Sequence, residues 1–144
     1  MSQYDADFYA WTQTQAAALR AKDWAALDLE HLAEEIESLG RSDRRAIRSQ
    51  LERLLQHCLK WAYQPQGRGS SWRGSIEQAR HEIAELIAES PSLHDYPAQR
   101  LSDAYRYARR QAAHETGLPL AMFPETCPWS LEQLQHEDFW PEAR

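Results

Sequence analysis

The chain has 144 residues, enough for one hydrophobic core, and its 42% hydrophobic and 26% charged residues exclude a disordered polypeptide. Two cysteines, Cys58 and Cys127, are too few and too far apart for a disulfide framework or a zinc-ligand spacing. The net charge of −6 is unevenly laid out: eight acids and two bases over residues 1–40, nine bases and three acids over 41–80, eleven acids and five bases over 81–144.

Valine is absent, and isoleucine and threonine number only five and four against 21 alanines and 16 leucines. Strands favour β-branched side chains, whereas helices favour Ala, Leu and the long polar residues. The composition therefore predicts an all-α fold. The acidic N-terminus lacks the basic and apolar regions of a signal peptide, and no apolar run approaches the ~18 residues needed to span a bilayer. A cytoplasmic protein that does not enter the membrane is expected.

A first helix is predicted from about Asp5 to Lys22, with Tyr4, Phe8, Trp11, Ala18 and Leu19 on one side and Gln15 among them. Asp23 can cap a short turn through residues 24–27. Asp28 can cap a second helix carrying Leu29, Leu32, Ala33, Ile36 and Leu39 inward, ended by Gly40 as the left-handed terminator. Ser42 can cap a third helix, Asp43 to Trp61, with the stripe Ile47, Leu51, Leu54, Leu55, Cys58 and Leu59. The segment Gln64–Ser71, with a proline and two glycines, is a loop.

A fourth helix over Ser71–Glu89 buries Trp72, Ile76, Ala79, Ile83 and Leu86. Ser90-Pro91 opens a short turn, and Pro97 sits in the first turn of a fifth helix ending near Thr116-Gly117. Leu118–Trp129 contains three prolines and reads as an ordered wrap, after which Ser130-Leu-Glu-Gln133 fits a capping box opening a last helix to about His136. The expectation is a single domain, residues 1–144: a helical bundle of about five main helices with a proline-rich C-terminal wrap.

Polar residues that fall on apolar sectors are the sharper signal. At 100° per residue Arg44 projects toward Ile47 and Leu51, and Glu115 toward Ala108 and Ala112. Charges aimed at a core need partners. With a chain reversal at Gly40, at least one internal ion pair is expected between Glu34, Glu35 or Glu37 and Arg44 or Arg48. His31 and Glu34 share a helix side, and His57 would complete a bundle-type metal site, but the repeated Glu-x-x-His pairs of di-metal bundles are absent. No nucleophile elbow, phosphate-cradling loop or His-Glu-x-x-His is present, so neither catalytic nor cofactor-binding residues are assigned. Cys127, in a loop beside Pro128, has no evident base. Around the 64–71 loop, Trp61, Tyr63, Trp72, Arg68 and Arg73 could line an aromatic groove suited to protein or single-stranded nucleic acid.

Several segments together read as family words: Asp7-Phe-Tyr-Ala-Trp11, Leu32-Ala-Glu-Glu-Ile-Glu-Ser-Leu-Gly40, Leu59-Lys-Trp-Ala-Tyr-Gln-Pro65, Ser71-Trp-Arg73, Ser90-Pro-Ser-Leu93, Cys127-Pro-Trp-Ser-Leu-Glu-Gln-Leu134 and Asp138-Phe-Trp-Pro141. From Tyr4 to Pro141 the chain resembles the bacterial "domain of unknown function 29" family. The resemblance implies an all-helical fold and no established activity, and supplies no catalytic residue. The candidate polar and aromatic site comprises Glu34, Glu35, Arg44, His57, Trp61, Gln64, Trp72 and Glu115. The leading expectation is a non-enzymatic protein-interaction module with a protein partner or a second copy as a homodimer. The alternatives are a nucleic-acid-binding or regulatory module using the basic 41–53 helix, and a metal-dependent enzyme centred on Glu34, Glu35 and His57.

Overall fold

The computed structural model describes residues 2–142. Among them the chain is all-α: six α-helices, four of them long, joined by four 3₁₀ turns. The described residues group into two compact units, 2–42 and 43–142.

In the first unit, α1 (Gln3–Ala6) and α2 (Phe8–Ala21) replace the single expected first helix. Asp7 causes the break: its backbone leaves the helical region, and its carboxylate accepts from Ala10 N as the N-cap of α2. Lys22, left-handed at φ 57°, ends α2. Gln15 lies on the apolar side as expected and is 5% exposed. Its amide donates to Ala26 O and accepts from Asp28 N, so a buried polar group is satisfied by the turn Trp24–Ala26 and the start of the next helix.

The next helix, α3, runs without interruption over Leu29–Tyr63, from the first unit into the second. This corrects the expected stop at Gly40 and reduces five main helices to four. Glycine permits a left-handed terminator but does not impose one; in a helix interior it costs only about 1 kcal/mol against alanine. Gly117, which does end a helix, has φ 74°, whereas Gly40 is not left-handed. The Glu37–Arg41 pair at 3.8 Å spans Gly40. The continuous helix also corrects the expected inward face: Leu29, Ile36 and Leu39 are 68%, 68% and 69% exposed.

The second unit packs the later part of α3 with α4 (Ser70–Glu89) and α5 (Tyr96–Thr116). Its core joins Leu51, Leu54, Leu55, Cys58 and Leu59 of α3 to Ile76, Ala79 and Ile83 of α4 and Ala104, Tyr105, Ala108 and Ala112 of α5. The alanines let α5 approach closely, and each buried leucine or isoleucine contributes roughly 1.5–3 kcal/mol. The C-terminal wrap closes this core with Phe123, Trp129 and Leu134, the last on α6 (Leu131–Gln135) behind the expected Ser130–Gln133 capping box. Two arginines hold the wrap. Arg80 donates to the carbonyls of Leu134, Glu137 and Phe139, and Arg109 to those of Leu120 and Phe123. Tyr105 Oη donates to Pro124 O at 2.6 Å.

Candidate functional site

The second unit carries a charged cluster where α3, α4 and α5 meet. Lys60 belongs to the last turns of α3, next to the core stripe, and is only 8% exposed. Its Nζ donates to Glu115 Oε2 at 2.7 Å and stands 4.8 Å from the centre of the Trp72 ring. The Lys60 hydrogen bond holds the Glu115 carboxyl below the usual carboxylate range, with help from Gln56. Glu115, expected to face the core, is instead exposed, with its side chain 44% accessible; the buried member of the pair is Lys60, whose ammonium Glu115 neutralises. His57 lies one turn before Lys60; its Nδ1 meets the Arg53 carbonyl at 2.9 Å. Burial, then the nearby lysine, pushes the His57 imidazole below its ordinary value. Three of the expected site residues, His57, Trp72 and Glu115, therefore gather around Lys60, which was not among them.

Trp61 faces a second arrangement, a ladder of rings and guanidinium groups. Arg68 lies 5.3 Å and Arg73 5.8 Å from the Trp61 ring, which is 4.8 Å from Trp140; Arg73 and Arg80 stand over Trp140 at 4.7 and 5.6 Å. Arg68 Nε also donates to Trp61 O at 2.7 Å. The expected Trp61, Arg68 and Arg73 grouping is present, with Trp140 of the wrap occupying it. Gln64 caps the turn Pro65–Gly67 through its backbone, and the Trp72 ring fills the space that a side chain at Gly67 would need. Cys127 is half-buried: its thiol donates to Trp129 O, and burial raises its pKa.

In the first unit, Asp28 organises the other cluster. One carboxylate oxygen accepts from His31 N as the cap of α3; the other takes Trp11 Nε1 at 3.1 Å and His31 Nδ1 at 2.7 Å. The His31 hydrogen bond lowers the Asp28 pKa, and Asp28 raises that of His31. Tyr4 stacks on His31 with ring centres 3.9 Å apart and donates to Glu35, which pushes the phenol up to about 12. His31 is thus paired with Asp28 rather than Glu34, because the capping carboxylate reaches it first.

The expected ion pair from Glu34, Glu35 or Glu37 to Arg44 or Arg48 is not formed among the described residues. Glu35 holds Tyr4 and Glu37 pairs with Arg41, while Arg48 pairs with Glu52 at 3.6 Å and Arg44 lies over Tyr96 at 4.9 Å, exposed rather than in the core. Without a reversal at Gly40 these acids and bases succeed one another along one helix instead of facing across two. Among the described residues no group of three or more His, Cys, Asp or Glu could hold a metal ion.

Sequence reasoning passed over Lys60, Arg80, Arg109 and Asp28 as site-builders. Lys60 and Arg80 had a signal available, since both sit beside apolar stripe positions. The three carbonyls received by Arg80 are long-range and leave none. A cleft of about 490 Å³ beside Arg80 is lined by acids, Glu77, Glu137 and Asp138, with His81.

No helix among the described residues is long and apolar enough to cross a membrane. No curated protein and no solved structure matches the chain. The family described as a domain of unknown function, DUF29, matches residues 3–140. A match of that extent, on an all-helical fold, makes the chain a member of the DUF29 family.

Proposed function

We propose that this DUF29 chain is a cytoplasmic, non-enzymatic protein-interaction module. One observation carries the reading: the polar groups of both clusters are engaged inside the chain, whereas large apolar side chains of the first unit are left uncovered. Lys60 is bound to Glu115, Arg80 to three carbonyls, and Asp28 to His31 and Trp11. Trp24, Leu29, Ile36 and Leu39 are 62–69% exposed. Scattered exposed apolar residues are ordinary, but Leu29, Ile36 and Leu39 fall on one side of one helix at steps of seven and three, the spacing of a helix-binding seam.

The test is a triple variant, Leu29→Gln, Ile36→Gln and Leu39→Gln, compared with the wild-type chain by light scattering and by binding of an apolar dye. The wild type is expected to self-associate or to bind the dye, and the variant to do neither while keeping its helical circular dichroism. A wild-type chain that is strictly monomeric and binds no dye overturns the reading.

A nucleic-acid reading has one observation in its favour. Arg45 is exposed, and Arg53 is bonded to Ser75 and Gln78 rather than to an acid. Affinity for DNA or RNA that falls steeply with salt supports it, and its absence removes it.

A further inference from the structure

We propose that α3 associates with α3 of a second copy of this chain, antiparallel, about a two-fold axis that crosses the helix at the level of Leu39; this rests on the interaction reading above and names its occupant.

From Ile36 to Arg45 every residue of α3 is exposed, so nearly three helical turns are uncovered on all sides. An unaccompanied helical stretch of that length is marginal in water, and this one presents Ile36 and Leu39 to solvent. It gains from a cover.

Charge says what the cover is. At 100° per residue, Glu30, Glu34, Glu37, Arg41, Arg44 and Arg48 all lie in one sector of α3 roughly 80° wide. Along that sector three acids are followed by three bases. Each acid has a base at the same distance on the other side of Leu39: Glu37 and Arg41 at two residues, Glu34 and Arg44 at five, Glu30 and Arg48 at nine. A two-fold axis at that level therefore sets every acid of one copy beside a base of the other. Parallel pairing in register sets like charge against like and is rejected. A foreign partner would need the reversed pattern on one face; this chain already carries it.

Gly40 borders the charged sector, whereas Leu29 and Ile36 lie roughly 60° and 80° beyond its edge and Leu39 on the opposite side, so charge pairing beside a small residue, not the apolar seam, makes this contact. Within one copy these charges are weakly committed. Glu37 and Arg41 form a pair at 3.8 Å with side chains 73% and 56% exposed, Arg48 is 3.6 Å from Glu52, and Glu30 and Glu34 have no ion-pair partner among the described residues.

The experiment is a charge swap on the full chain, read by sedimentation equilibrium. Glu34 and Arg44 are ten residues apart, roughly 15 Å along α3, and cannot pair within one copy. The wild type is expected to dimerise. Glu34→Arg alone and Arg44→Glu alone should each weaken the dimer by roughly tenfold, and the double variant should recover to within about threefold of wild type. Gly40 and Leu29 lie within about 20° of each other around α3, so cysteines at the two positions report register alone. In a Cys127→Ser background, Gly40→Cys should be captured as a dimer by a short bis-maleimide, since a side chain there has open space and the two copies meet one residue away. Leu29→Cys should not, because antiparallel copies hold the two residues 29 roughly 30 Å apart.

A dimer that the double variant fails to restore, or that cross-links through residue 29 and not 40, overturns the antiparallel pairing and leaves the interaction reading standing. A wild-type chain that stays monomeric at its solubility limit yet binds the apolar dye overturns the second copy as occupant. If it binds no dye either, both fall.

Discussion

His31 and His57 are moved in opposite directions from the same ordinary value of 6.5, and each shift has a local cause. Asp28 stabilises the protonated ring of His31, while burial beside Lys60 favours the neutral ring of His57. These directions fix the signs for stability. His31, raised on folding, contributes stability that is complete below its unfolded pKa and lost as pH rises through its folded one. His57, lowered on folding, contributes stability present above about 6.5 and lost as pH falls through its folded value. Glu115, held down by Lys60, adds in the same sense as His57 but at lower pH, below the ordinary carboxylate value of 4.5. NMR titration of the imidazole protons is expected to give His31 a midpoint above 6.5 and His57 one below. Coincident midpoints for the two rings would contradict both contacts. Asp28→Asn should bring His31 back toward 6.5 without moving His57.

Helix α3 shows how far the elements can be read from residue order alone. The stripe Ile47, Leu51, Leu54, Leu55, Cys58 and Leu59 is buried as its period implies, Asp28 caps where an aspartate before an apolar run should, and the Ser130–Gln133 box closes. Gly117 ends α5 in the left-handed conformation expected of a terminal glycine. Gly40 carries the same letter and does not, because a glycine terminates a helix only where the downstream chain folds back, and none does there. That single difference removed the expected Glu–Arg pairs and uncovered Leu29, Ile36 and Leu39. Periodicity identifies an apolar face but not what covers it. The candidate site was legible only in part: Glu115, picked out for facing the core, is exposed but does bind the buried Lys60, and long-range geometry, as in the carbonyls held by Arg80, leaves no trace in residue order. The interior role of Gly40 is itself testable. Nothing lies within 4 Å of a Cβ added there, and its backbone is not left-handed. Gly40→Ala, measured by urea denaturation at dilute protein, should stabilise the chain by about 0.5–1 kcal/mol. A left-handed stop would make the same change destabilising.

At the scale of the molecule, burial is distributed unequally between the two units, and the consequence is a gradient of local stability along one helix. The first unit buries Trp11, Gln15 and Ala18; the second buries a core of some seventeen side chains contributed by α3, α4, α5 and the wrap. Local opening free energy tracks buried apolar contact, ranging from near zero at exposed segments to the global value in the core. The amides from Leu51 to Ala62 should therefore exchange with solvent only on global unfolding, and those from Leu32 to Arg45 faster by at least about a hundredfold, although all belong to one uninterrupted helix. Hydrogen exchange read by mass spectrometry on overlapping peptides resolves the two halves. Repeating it at increasing protein concentration separates intrinsic from acquired protection. A segment exposed only because its cover is missing gains protection by mass action as the cover binds, to an extent set by the free concentration of its partner. Protection confined to residues 29–45 that rises with concentration identifies the uncovered face as an association surface. Uniform protection along all of α3 in dilute solution would mean that the helix is stabilised throughout without a partner, and the interaction reading would lose its physical basis.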